Sequence, residues 1–123
     1  MPMSSKLTGE RVVIAGLLSV KDDVDARFDA LAARVVELGG DVVGRVVQRR
    51  GVSRARGPGG ATKLDAPMNR TTFMGRGKAS ELAAVCIRER AAVVVFANGL
   101  DMLQRLELER LTRTRIVLAA ELR

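Results

Sequence analysis

The chain has 123 residues, 47% of them hydrophobic, with one cysteine, no histidine and a formal net charge of +7. That length suits one ordinary domain around one core, and no apolar run is long enough to suggest a membrane span. Without histidine and with Cys86 alone, the usual zinc and haem sites and the Ser-His-Asp or Cys-His nucleophilic constellations are excluded. The start shows no secretory pattern, so a cytoplasmic protein with no membrane contact and no cofactor is expected.

Residues 1–9 carry Pro, Ser and Gly without periodicity and read as a loose N-terminal tail, leaving 10–123 as one domain. Arg11 to Leu18 is a continuous apolar run rich in β-branched residues, the pattern of a strand covered on both faces. A helix follows, with Val24, Phe28, Leu31, Ala32, Val35 and Val36 at helical spacing and Gly39-Gly40 as its left-handed stop. Asp22, Asp23 and Asp25 cluster at its start. Three carboxylates could hold magnesium, but acids in a first turn are the expected capping and dipole pattern, and capping is the favoured reading.

Asp41 to Gln48 is the second strand, running into Arg49-Arg50. The stretch 49–72 is a long basic loop, and its part from Gly51 to Arg70 holds four Gly and two Pro with no period. That is too long for a mere connector. A second helix is predicted from about Lys78 to Arg90, burying Ala79, Leu82, Ala83, Cys86 and Ile87. Ala91 to Ala97 is the most apolar strand. Asn98-Gly99 then turns the chain into a third helix, Asp101 to about Arg113. Its Leu100, Leu103, Leu106 and Leu111 are expected inward, Gln104, Arg105 and Glu107 outward, and Glu109 with Arg113 as an exposed pair. Arg115 to Ala120 is the last strand.

Strands alternating with helices predict an α/β fold: a four-stranded, mostly parallel sheet (βαβαβαβ) of order 2-1-3-4 with helices on both faces. The connections reverse direction between the first and third strands. Ligands of such sheets sit outside the carboxyl ends at that reversal, here near Ser19, Lys21, Asn98 and Gly99.

The stretch from Thr71 to Leu82 contains Gly75-Arg76-Gly77-Lys78 where the basic loop enters the second helix. Two glycines free the backbone for unusual conformations, and the helix start offers unpaired N–H groups and partial positive charge. With Arg76 and Lys78 this is a plausible anion cradle. It is not a Walker A loop, since Thr72 and Ala79 stand where that motif needs Gly and Ser or Thr, and Ser80 spoils a dinucleotide fingerprint. A glycine turn feeding a helix, with no ligand, is the simpler alternative.

The charge is local. From Arg45 to Lys78 there are nine basic residues against one acid, Asp65, whereas the remainder is close to neutral. A patch of that kind favours a polyanion such as RNA, the alternative being a solvated basic loop. With three Phe and no Tyr or Trp, base stacking on an aromatic platform is not expected. Cys86 falls in an apolar helical stripe and reads as a buried thiol.

Read jointly, these motifs resemble the N-terminal domain of the HflX-type ribosome-associated GTPases. Leu38 to Arg50 is similar to that family's second strand and its Thr-Gln-x-Arg ending. Thr72 to Lys78 with Glu81-Leu82 is similar to its Thr-Tyr-Ile-Gly-x-Gly-Lys-x-x-Glu-Leu signature, and the resemblance spans about Glu10 to Leu118. It implies a domain that, in full-length members, precedes a helical hairpin and a GTPase domain and contacts the large ribosomal subunit. The chain departs from the pattern in a longer Arg/Gly-rich loop, in Val47 for the usual Thr, and in Ala119-Ala120 for Asp-Arg. It carries no GTPase motif.

The resulting expectation is a non-catalytic domain, without a metal site, that contacts ribosomal or other RNA through Arg49, Arg50, Arg54, Arg56, Arg70, Gly75, Arg76, Gly77 and Lys78. The alternative is an accessory protein, or a cofactor-independent enzyme, holding a phosphate-bearing small molecule at the same helix start. A homodimer through an edge strand is compatible with either, with Leu108 as an apolar position to be covered.

Overall fold

The computed structural model describes residues 7–19, 23–50 and 73–122. Its elements are β1 (Arg11–Ser19), α1 (Val24–Glu37), β2 (Asp41–Arg50), α2 (Arg76–Glu89), β3 (Val93–Phe96), α3 (Met102–Thr112) and β4 (Arg115–Leu118), followed by a short 3-10 turn, Ala119–Glu121. The sheet has the order β2-β1-β3-β4 with every neighbouring pair parallel, as expected.

The alternation of β1 explains the two layers. Val13, Ala15 and Leu17 pack with α2 and α3, while Val12, Ile14 and Leu18 pack on the side of α1. Because a strand's side chains alternate between faces, an unbroken apolar run serves both cores at once. Each fully buried Val, Leu or Phe contributes about 1.5–3 kcal/mol from removal of apolar surface from water. The register slips between Val12 and Val13, where Val12 pairs Val42 but Val13 pairs Gly44, so Val43 is the extra residue of a β-bulge.

The ends of α1 follow the sequence signals. Asp23 is its N-cap and accepts the Ala26 N–H at 3.0 Å. Gly39 closes the helix at φ +91°, a region costly to any residue with a Cβ. Of the three acids weighed for magnesium, Asp22 lies outside the described residues, and among the described residues there is no group of acidic or Cys side chains able to hold a metal. Leu7, placed in the expected loose tail, is buried against α1, and Gly9 donates to the Gly39 carbonyl at 2.9 Å. The stretch from Leu7 to Gly9 is therefore held by the fold, and residues 1–6 lie outside the described residues.

The largest correction concerns α3, whose buried positions are Gln104, Leu108 and Thr112. Met102 (74% exposed), Leu103 (74%) and Leu106 (54%) face solvent. Leu108, expected to need cover, is fully buried, and of the predicted stripe only Leu100 and Leu111 pack inward. The capping box sets this rotation. The Asp101 carboxylate accepts the Gln104 N–H at 2.8 Å and the Gln104 side-chain oxygen accepts the Asp101 N–H at 2.9 Å, which turns Gln104 inward. Thr112 is satisfied inside by donating to the Leu108 carbonyl at 2.7 Å.

Smaller corrections have the same character. On α2 the buried set is Ala79, Leu82, Val85 and Cys86, with Ala83 half-buried and Ile87 exposed. Val36 of α1 is exposed as well. Glu109 is no surface partner of Arg113, because its carboxylate accepts the Ile116 N–H at 3.0 Å.

Candidate functional site at the carboxyl edge of the sheet

The long basic segment leaves the carboxyl end of β2 and re-enters the described structure at Phe73. Phe73 and Met74 are buried, and the Phe73 ring stands edge-on to Phe96, the last residue of β3, with centroids 5.8 Å apart. This pins the start of α2 to the same edge at which β2 ends. Gln48 completes the junction by accepting the Gly75 N–H at 2.9 Å.

The unusual backbone lies at Phe73 and not at the glycines. Phe73 has φ +72°, whereas Gly75, the N-cap of α2, has φ −60° and ψ 154°. A Cβ on Gly75 would make ordinary contact with Gln48 at 3.5 Å, and one on Gly77 would meet open space. The expectation that these two glycines take backbone conformations closed to other residues is therefore corrected, since neither has a positive φ. α2 has no side-chain cap and no acid in its first turn. Its leading N–H groups thus carry partial positive charge beside Arg76, with no side-chain cap from Gly75.

The basic residues divide into three sets. Arg49 and Arg76 are exposed and have no ion-pair partner among the described residues. Arg49 pairs in register with Leu18, on the α1 side, and Arg76 opens α2 on the other, so the two straddle the end of the sheet. Two other cations are engaged by acids of the chain itself. Lys78 lies 2.9 Å from Glu81, and Arg45 reaches Asp29 of α1 at 2.8 Å, away from the start of α2. Arg50 ends β2, while Arg54, Arg56, Lys63 and Arg70 lie outside the described residues.

The reversal point between β1 and β3 is closed by Asn98, which sequence reasoning had taken for a turn residue. Its Oδ1 accepts the Leu17 N–H at 2.7 Å and its Nδ2 donates to the Leu17 carbonyl at 3.0 Å, continuing the ladder with a side chain. Gly16 makes room for it: a Cβ there would lie 2.8 Å from the Ala97 Cβ and 3.2 Å from Asn98 Oδ1. Asn98 is thus engaged by the sheet through one amide N–H and one lone pair of its Oδ1. Ser19 is the last residue of β1, Lys21 is outside the described residues, and Gly99 is exposed.

Cys86 is buried, and burial pushes its thiol up to about 11. It stays protonated and unreactive at neutral pH. No described helix is long and apolar enough to cross a membrane.

Comparison with known proteins accords with this architecture. No curated protein matches the chain. The GTP-binding GTPase N-terminal family, GTP-bdg_N, matches residues 25–122, from the first turn of α1 to the 3-10 turn after β4. That span takes in β2, the basic segment and the start of α2, the parts that carry the HflX-type signature, and the chain belongs to this family.

Proposed function

We propose that the chain is a non-catalytic RNA-binding domain whose partner is ribosomal RNA, reached on the large subunit, as the HflX-type resemblance implies. The observation that carries this reading is the convergence at one edge. The Gln48–Gly75 bond holds the basic end of β2 against the uncapped start of α2. In sequence, the segment between them, which lies outside the described residues, holds Arg54, Arg56, Lys63 and Arg70 with a single acid, Asp65. Phosphate oxygens suit such a surface because guanidinium forks and the N–H groups of a helix start bind them without reading sequence.

The direct test is retention of a single-stranded RNA and of isolated large ribosomal subunits at low ionic strength, with release as salt rises. Absence of retention at low salt contradicts the reading. The second reading, a phosphate-bearing small molecule at the start of α2, is favoured by the missing cap and the missing first-turn acid. It predicts that a mononucleotide raises the melting temperature of the protein and that Arg76→Ala abolishes the shift.

A further inference from the structure

At the amino edge of the sheet, opposite the start of α2, both α2 and α3 end on an arginine. Arg90 (φ 55°, ψ 45°) and Arg113 (φ 59°, ψ 37°) are the C-caps, held in the left-handed region that α1 reaches with Gly39. A residue with a Cβ is strained there and glycine is not, so backbone geometry alone favours glycine at both positions. The helix dipoles do not require these two charges either. α2 already has Arg88 in its last turn, and α3 has Arg110. Both C-cap side chains are exposed, and neither has an ion-pair or hydrogen-bond partner among the described residues. The neighbouring acids are engaged elsewhere: Glu89 with Arg11 and Arg88, Glu107 with Arg110, and Glu109 with the Ile116 N–H. Glu10 and Asp41, joined by the Asp41 N–H to the Glu10 carbonyl at 2.9 Å, lie on the side of β2. The register of Val93 with Arg115 brings the ends of α2 and α3 side by side, about 8–10 Å apart as packed helices stand.

Building on the RNA-binding reading of the carboxyl edge, we infer that Arg90 and Arg113 form a second phosphate-binding surface, and that one chain bridges two segments of RNA, one at each edge of the sheet. Two unpaired guanidinium groups, present despite backbone strain and beyond what the dipoles need, are suited to an external anion. Phosphate oxygens are the acceptors that a guanidinium fork matches in pairs. β1 has nine residues, so the two edges stand about 30 Å apart and face opposite ways. A very short RNA therefore occupies one edge or the other, and a long one leaves the second edge open to another segment.

The test is an NMR titration of the full chain at low ionic strength with a single-stranded RNA of about four nucleotides, the lower end of single-strand site sizes. Amide shifts are expected in two separate sets, one around Gln48, Gly75 and Arg76 and one around Arg90 and Arg113. Combining Arg90→Gly with Arg113→Gly should abolish the second set and keep the first, while the melting temperature holds or rises because glycine suits the left-handed caps. Arg90→Lys with Arg113→Lys, which keeps the charge, should retain the second set. Energy transfer between donor-labelled and acceptor-labelled longer RNAs should appear with the parent chain and be lost in the glycine variant. Shifts confined to the carboxyl edge overturn this inference and leave the RNA-binding reading standing, whereas shifts at neither edge overturn both. A second set that survives in the glycine variant, a lower melting temperature of that variant, or no energy transfer with the parent also overturns the inference.

Discussion

The side-chain oxygen of Gln48 lies 2.9 Å from the Gly75 nitrogen, joining two positions separated by the whole basic segment. The bond is part-buried, and it satisfies an N–H at the uncapped start of α2. Gln48→Ala should therefore cost about 1–2 kcal/mol, the range for a lost hydrogen bond that leaves a partly buried donor unpaired. Gln48→Glu, which keeps the acceptor, should cost less. Urea denaturation measures both, and equal losses would show that the bond is not what holds the junction.

Asn98 makes a two-point contact with the Leu17 backbone. Asn98→Ala should destabilise by about 2–3 kcal/mol, since it leaves a donor and an acceptor unsatisfied at the end of β1. Asn98→Asp keeps an acceptor for the Leu17 N–H but sets a carboxylate against the Leu17 carbonyl. It should be destabilising at neutral pH and recover in part as the pH falls toward about 4, because a carboxyl group held against a carbonyl protonates above its ordinary value and can then donate. Melting temperatures across that range decide the matter.

The rotation of α3 makes opposite predictions for neighbouring leucines. Leu108→Ala should cost about 2–5 kcal/mol, as expected for a buried Leu that leaves a cavity. Leu103→Gln and Leu106→Gln should each stay within about 0.5 kcal/mol of the parent, because those side chains already face water. The reverse order in denaturant titrations would restore the stripe expected from sequence.

Cys86 supplies a pH dependence with a definite sign. Burial raises its thiol from an ordinary value of 9.0 to about 11, so the folded state holds the proton more tightly than the unfolded chain. The contribution is fully present below pH 9 and is lost as the pH rises from about 9 to about 11. Cys86→Ala should flatten that decline, and the native thiol should react with a disulfide reagent at pH 8 far more slowly than the denatured one. Fast modification of the folded protein would contradict the burial.

Much of the fold was legible because a parallel sheet announces itself. The apolar runs of β1 and β3 and the stops at Gly39 and after β2 set the element order, and right-handed crossovers set the strand order. The rotation of α3 was hidden, because Leu103 and Leu106 continue the spacing of the inward Leu100 and mimic a buried stripe, although both face solvent. Asp101 followed three residues later by Gln104 was the available signal. The site was legible as composition and as a family signature, and its organisation was not. No count of arginines reveals that Arg45 turns to Asp29 or that Lys78 meets Glu81. Nor does Asn98-Gly99, a common turn pair, reveal a side chain that completes a strand ladder.

The central claim is that the edge where β2 ends and α2 begins binds RNA through its phosphates. The measurement that bears on it most directly is the salt dependence of RNA affinity for the parent chain and for Arg49→Ala and Arg76→Ala, two exposed cations with no ion-pair partner among the described residues. The account predicts that the logarithm of affinity falls linearly with the logarithm of salt concentration, and that each substitution weakens binding and lowers that slope by about 1. Unchanged slopes in both variants, or no RNA bound by the parent at low salt, would contradict it.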